Sequence, residues 1–150
     1  MIYIHIPFCK SRCLYCDFFS TTSSELKDDF VKALLKEIEG RAEELRFARA
    51  NTIYIGGGTP SQLDAKHLTD IFGALQRVAP LQDGAEVTIE CNPDDITPEF
   101  VDALKATPVN RVSMGVQTFD DNLLRLLRRR HTSAQAHRAV SLLREAGYSN

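Results

Sequence analysis

No sign of charge dominates this sequence. Its 18 Lys and Arg nearly balance 20 Asp and Glu, leaving a net charge of −2, so nothing electrostatic calls for a nucleic-acid partner. No stretch approaches the ~20 apolar residues of a membrane span. The N-terminus has neither the basic region nor the apolar run of an export signal, and a cytoplasmic location is expected. Cysteine is scarce, four in 150 residues, yet three of the four fall within eight positions. Clustered thiols in a chain without an export signal are expected as metal ligands rather than disulfides. What remains is an ordinary globular composition, 43% hydrophobic and 25% charged, of a length that buries about 70% of its unfolded surface in one domain.

The patterning alternates strands and helices. Ile2-Tyr3-Ile4-His5-Ile6 is β-branched or aromatic apart from His5, which predicts a largely buried strand stopped by Pro7. The polar Thr21-Thr22-Ser23-Ser24 offers several N-caps. Leu26, Phe30, Val31, Leu34, Leu35, Ile38 and Leu45 then recur at helical spacing and predict one helix to about Phe47. Thr52-Ile53-Tyr54-Ile55 predicts a second strand, and Ser61 or Asp64 caps a helix carrying Leu68, Ile71, Phe72, Leu75 and Val78. Glu86 to Glu90 predicts a third strand, and Thr97-Pro98 opens a short helix. Arg111 to Val116 predicts a fourth strand. Asp120 or Asp121 starts the next helix, and Thr132 or Ser133 the last, which Gly147 closes.

A β-α unit repeated four times demands a parallel sheet covered by helices on at least one face. Right-handed units make it an open sheet or about half of a (β/α)8 barrel, and a complete barrel needs ~250 residues. The expected class is therefore α/β, the N-terminal part of a partial TIM-like barrel. Residues 1–150 would be the first half of a core domain, with the rest of the barrel and a C-terminal domain outside it.

The unusual residues all fall at predicted strand ends, the rim where parallel α/β folds bind ligands. Cys9, Cys13 and Cys16 are spaced C-x3-C-x2-C, with Tyr15 before the last. Structural zinc takes four ligands, usually as two separated pairs. Here three share one loop, and nothing in the spacing marks His5 or Cys91 as a fourth, though a zinc-bound structural role stays open. Three ligands to a four-iron cluster leave one iron free for a substrate. Gly56-Gly57-Gly58 lacks the lysine of a P-loop and does not complete G-x-G-x-x-G, which excludes the nucleotide-phosphate readings. Three successive glycines exceed what a turn requires and let a ligand approach the backbone closely.

Four ordered motifs carry a family resemblance across essentially the whole chain. They are Tyr3-Ile4-His5-Ile6-Pro7-Phe8-Cys9 with the cysteine loop, Gly56-Gly57-Gly58-Thr59-Pro60-Ser61, Glu90-Cys91-Asn92-Pro93, and Arg111-Val112-Ser113-Met114-Gly115-Val116-Gln117-Thr118-Phe119. The chain resembles the radical S-adenosylmethionine (SAM) enzymes and, within them, the oxygen-independent coproporphyrinogen III oxidase group.

That resemblance implies a [4Fe-4S] cluster on Cys9, Cys13 and Cys16. Its open iron would hold SAM, whose contacts fall on Tyr3, Tyr15, Gly57, Gly58, Thr59, Glu90, Gln117 and Arg129. Reduction of such a cluster cleaves a carbon–sulfur bond of SAM, and in the oxidases the resulting radical takes hydrogen from porphyrinogen propionates. Dehydrogenases of the group carry a further cysteine two positions after the third ligand, where this chain has Phe18, and a longer N-terminal extension. Both departures resemble the branch of heme chaperones, in which the cluster and SAM regulate heme transfer; the oxidase is the alternative. The implied partners are heme, heme-accepting proteins and an electron donor, with a membrane-associated acceptor and a homodimer admitted. Family heme contacts lie mostly beyond residue 150, and these residues alone are expected to be inactive.

Overall fold

The computed structural model describes residues 1–47 and 51–150. Strands β1 (Ile2–Ile6), β2 (Thr52–Gly57), β3 (Glu86–Cys91) and β4 (Arg111–Met114) form one parallel sheet in the order β1-β2-β3-β4. Sequential order with parallel strands is barrel-type winding, each connection returning on the same side of the sheet. The connections carry α1 (Lys27–Gly40), α2 (Ala42–Phe47), α3 (Ala65–Val78), α4 (Pro98–Lys105) and α5 (Asp121–Leu126), and α6 (Ser133–Glu145) follows. None of the described helices is long and apolar enough to cross a membrane.

Register separates the two faces of the sheet. Ile4, Ile55, Ile89 and Val112 lie side by side across the four strands, as do Ile2, Ile53 and Val87 across three. These rows meet Val31, Ile38, Leu68, Ile71, Leu75, Leu104 and Leu143 from the helices in one apolar cluster. Each fully buried aliphatic side chain in it contributes about 1.5–3 kcal/mol. The intervening row, Tyr3, Tyr54, Thr88 and Arg111, faces the other way and is polar. There Arg111 Nη1 donates to Thr88 Oγ1 at 3.2 Å, and Tyr3 stacks on Tyr54 with ring centroids 6.2 Å apart.

Several expectations need correction. The first strand is half buried rather than largely buried: Ile2, Ile4 and Ile6 are inside, whereas Tyr3 is 52% exposed on the open face. The single helix to Phe47 is two, because α1 stops at Gly40, a poor helix former, and Arg41 leaves helical geometry. Neither Ser23 nor any other residue of the Thr21–Ser24 link caps it by a side chain. Instead Thr21 closes the neck of the cysteine loop, and its Oγ1 accepts from the Ser23 amide at 3.2 Å. The fourth strand ends at Met114, where Val116 and Thr118 each donate back to a carbonyl two residues earlier and Gln117 takes φ 65°. Thr97, Asp120 and Thr132 cap α4, α5 and α6 as expected.

Candidate functional site

The four strands end on one cleft of about 310 Å³, lined by Cys9, Cys13, Cys16, Tyr15, Phe18, Gly57, Gly58, Thr59, Glu90, Gln117 and Arg129 among others. That volume lies at the small end of the range for ligand sites. The cysteine loop leaves β1 at Pro7 and returns at Thr21. Its neck is held by Cys9 N–H to Thr21 O (2.9 Å) and Thr21 N–H to Pro7 O (2.7 Å), and its middle by Leu14 N–H to Leu127 O (3.1 Å). The Thr59 hydroxyl donates to Cys9 Sγ and Arg129 Nη1 to Cys13 Sγ, each at 3.3 Å. Tyr15 lies against Cys13 and Arg129, and burial, its largest influence, raises the phenol's pKa.

The glycine run owes its composition to the protein's own packing. A Cβ on Gly58 would stand 2.9 Å from the Pro7 carbonyl and 3.0 Å from Cys9 Sγ; one on Gly57, at φ 117°, would meet the His5 ring at 2.8 Å. Glu90 is met from two sides. Tyr54 Oη donates to its Oε1 at 2.6 Å and the Gly57 amide to its Oε2 at 3.1 Å. Arg129 reaches from the segment after α5 to Asn92 Oδ1 (2.7 Å) and Gly115 O (2.6 Å), while its buried Nε has no partner among the described residues.

Of the predicted site residues, Tyr3 alone stays out of this cleft. Its hydroxyl donates to His5 Nδ1 at 3.1 Å on the open sheet face. The neighbouring arginines part ways, for Arg128 is exposed at φ 57° and Arg130 pairs with Asp94 at 2.7 Å. His5 and Cys91 offer poor fourth metal ligands. His5 is engaged at both ring nitrogens, Nε2–H donating to Phe19 O at 2.8 Å. Cys91 is buried, which pushes its thiol far above the ordinary range, with Asp95 and Glu90 adding to the rise. Among the described residues no three His, Cys, Asp or Glu converge on a point where one ion would sit. Cys9, Cys13 and Cys16 all line the one cleft.

His131, without a role by sequence, is buried. Its Nε2–H donates to Val116 O at 3.1 Å, Nδ1 has no partner among the described residues, and burial lowers its pKa. His67 donates from Nε2 to Asp28 at 2.8 Å and accepts at Nδ1 from the Asp64 amide that starts α3. Tyr54 and Asp95 were not visible as site residues. A tyrosine in an apolar strand reads as core, and an aspartate after Asn-Pro reads as a turn.

The fold and cleft define an α/β protein with a cysteine-lined rim, and the Radical SAM superfamily profile matches residues 3–150. The chain belongs to the radical SAM superfamily. It is 40% identical over 150 residues to the heme chaperone HemW of Lactococcus lactis, covering 99% of this chain and 38% of that protein. The Bacillus subtilis HemW is 39% identical, with 99% and 40% covered, and the Escherichia coli HemW 39% identical, with 94% and 38% covered. Among solved structures, E. coli coproporphyrinogen III oxidase HemN, described as a radical SAM enzyme, superposes with TM-score 0.88. It is 30% identical, over 99% of this chain and 35% of that one. The chain thus spans about two fifths of the length of the curated relatives it matches.

Proposed function

We propose that the chain is the N-terminal part of a radical SAM-type heme chaperone, holding a [4Fe-4S] cluster and SAM in the cleft and delivering heme to acceptor proteins. The observation that carries it is the convergence of Cys9, Cys13 and Cys16 with Gly57, Gly58, Thr59, Glu90, Gln117 and Arg129 on one cleft. The partnerless buried Nε–H of Arg129 supports one charge-assisted bond to a ligand carboxylate oxygen. Three thiols in one loop, with His5 and Cys91 engaged or buried, support a three-ligand cluster rather than four-ligand structural zinc.

Cys9, Cys13 and Cys16 would hold the cluster, and Arg129 and Glu90 would orient the charged and hydroxyl ends of SAM. Gly57, Gly58 and Thr59 would offer backbone atoms to its amino end, with Gln117 and Tyr15 closing the cleft. When bound, the cluster and SAM together supply one-electron chemistry. The protein's part is orientation and exclusion of water. Tyr3, outside the cleft, would act only on a ligand reaching across the open sheet face. The Asn150 carbonyl accepts from Val112 N–H at 3.1 Å, beside the free edge of β4.

Phe18 favours the chaperone over the oxidase. It lines the cleft and is 66% exposed at the position where the oxidases place a further cysteine. Anaerobic reconstitution of the full-length protein with iron and sulfide, then SAM and a reductant, tests the reading. Heme binding without porphyrinogen turnover is expected. Turnover would instead assign the oxidase, and a chain that takes up no iron would remove both.

A further inference from the structure

Asp95 lies behind the cleft, in the turn Pro93–Asp95 that follows β3, with its side chain only 2% exposed. Four donors converge on it. Lys10 Nζ (2.9 Å) and Arg130 Nη2 (3.4 Å) meet Oδ1; Ser61 Oγ (2.7 Å) and Gln62 Nε2 (2.6 Å) meet Oδ2. The four donors come from the loops that follow three other strands, β1, β2 and β4. Lys10 sits between Cys9 and Cys13, Ser61 and Gln62 follow the glycine run, and Arg130 adjoins Arg129. A single buried carboxylate therefore joins the loops that build the rim. An uncompensated charge at that depth is strongly unfavourable, so its partners are held rather than incidental.

The cysteine loop needs such a hold. Thr59 and Arg129 reach it through Cys9 and Cys13 sulfur, the atoms a cluster would claim. Beyond the neck, the described ties from other loops that leave those sulfurs alone are Leu14 to Leu127 and Lys10 to Asp95.

We propose that Asp95, acting through Lys10, is a positioning residue that fixes the cysteine loop in its ligand-ready shape before any cluster is present. The purpose rests on the cluster reading above; the anchoring does not. Its test is the initial rate of trypsin cleavage of the Arg12–Cys13 bond in the apo-protein, resolved by mass from the cut after Lys10, with Lys10→Met, Asp95→Asn and Lys10→Arg beside the wild type. Lys10→Met is expected to speed cleavage roughly 5- to 30-fold at an unchanged thermal midpoint, because cleavage follows the population of the opened loop. Asp95→Asn is expected to speed cleavage as well but with a lowered thermal midpoint, because Arg130, Ser61 and Gln62 lose the same acceptor, and Lys10→Arg is expected to restore the wild-type rate.

After reconstitution, Lys10→Met is also expected to lose iron to a chelator several-fold faster. Wild-type cleavage in Lys10→Met would overturn the anchor. Faster cleavage with unchanged iron loss would overturn its service to the cluster. A wild type that takes up no iron, with the cleavage difference intact, would remove the cluster reading and leave the anchor standing.

Discussion

Gly58→Ala tests whether the glycine run is required by the protein's own close packing. The new Cβ would stand 2.9 Å from the Pro7 carbonyl carbon and oxygen and 3.0 Å from Cys9 Sγ. Carbon contacts are comfortable at about 3.5–4.0 Å, so the shortfall is at least about 0.5 Å. The obstructing atoms are backbone, and Gly58 N–H is tied to Ile6 O at 2.8 Å, so neither side yields cheaply. Overpacking of this kind costs about 1–3 kcal/mol, which for a domain of this size lowers the thermal midpoint by roughly 2–12 °C. The displaced group includes a proposed cluster ligand, so iron uptake on reconstitution is expected to fall with it. Gly40→Ala, with nothing within 4 Å of its Cβ at the end of α1, is the control and is expected to gain about 0.4–1 kcal/mol. Thermal unfolding by circular dichroism and iron content measure both. A Gly58→Ala protein as stable and as iron-competent as the wild type would refute the reasoning.

Arg129→Lys keeps the charge but cannot span Cys13 Sγ, Asn92 and Gly115 while leaving Nε for a ligand. Losing one charge-assisted bond of about 1.5–3 kcal/mol should weaken SAM binding roughly 10- to 150-fold by titration calorimetry, and unchanged affinity would count against the assignment. Cys13→Ser is expected to abolish cluster assembly whereas Cys91→Ser is not, because burial keeps the Cys91 thiol protonated; equal loss of iron in both would mean a different ligand set. His131 titrates below its ordinary 6.5 in the folded chain because burial disfavours its charged form. The unfolded chain then binds more protons on acidification, so this contribution is complete above about pH 6.5 and is lost as pH falls through the folded value. Denaturant unfolding between pH 7.5 and 5 should show that slope, and His131→Gln should flatten it.

The strands were legible because their apolar residues recur where the sheet meets its helices, and the rim because its cysteines, glycines and Glu90 stand just where those runs stop. What the pattern hides is direction. In Ile2 to Ile6 the alternating partners are tyrosine and histidine, apolar enough to read as core, yet winding that returns every helix to one side leaves them on the open face. The Arg128-Arg129-Arg130 triplet is likewise uniform in sequence and divided in space. Only the left-handed turn at Arg128 and the acids at Asp94 and Asp95 decide which guanidinium enters the cleft. Asp95 shows the limit most clearly, since the burial of a turn aspartate depends on loops from 85 residues upstream to 35 residues downstream.

Sequential winding also explains how a loop with so little internal structure keeps a defined shape. Each strand end lies beside the next, so every rim side chain is steadied by a residue from an adjoining unit. Glu90 shows the consequence. Tyr54 on β2 and the Gly57 amide take one acceptor position on each of its oxygens, which fixes the carboxylate's plane. Each oxygen retains a second lone-pair position for a ligand hydroxyl. A carboxylate so held needs no reorientation when a ligand arrives, and the entropy of ordering it is met at folding rather than at binding. The same holds for Arg129, pinned at three acceptors with Nε still unmatched. The four β-α units thus assemble a cleft whose charged groups are already oriented, which is why it is recognisable in a chain two fifths the length of its relatives.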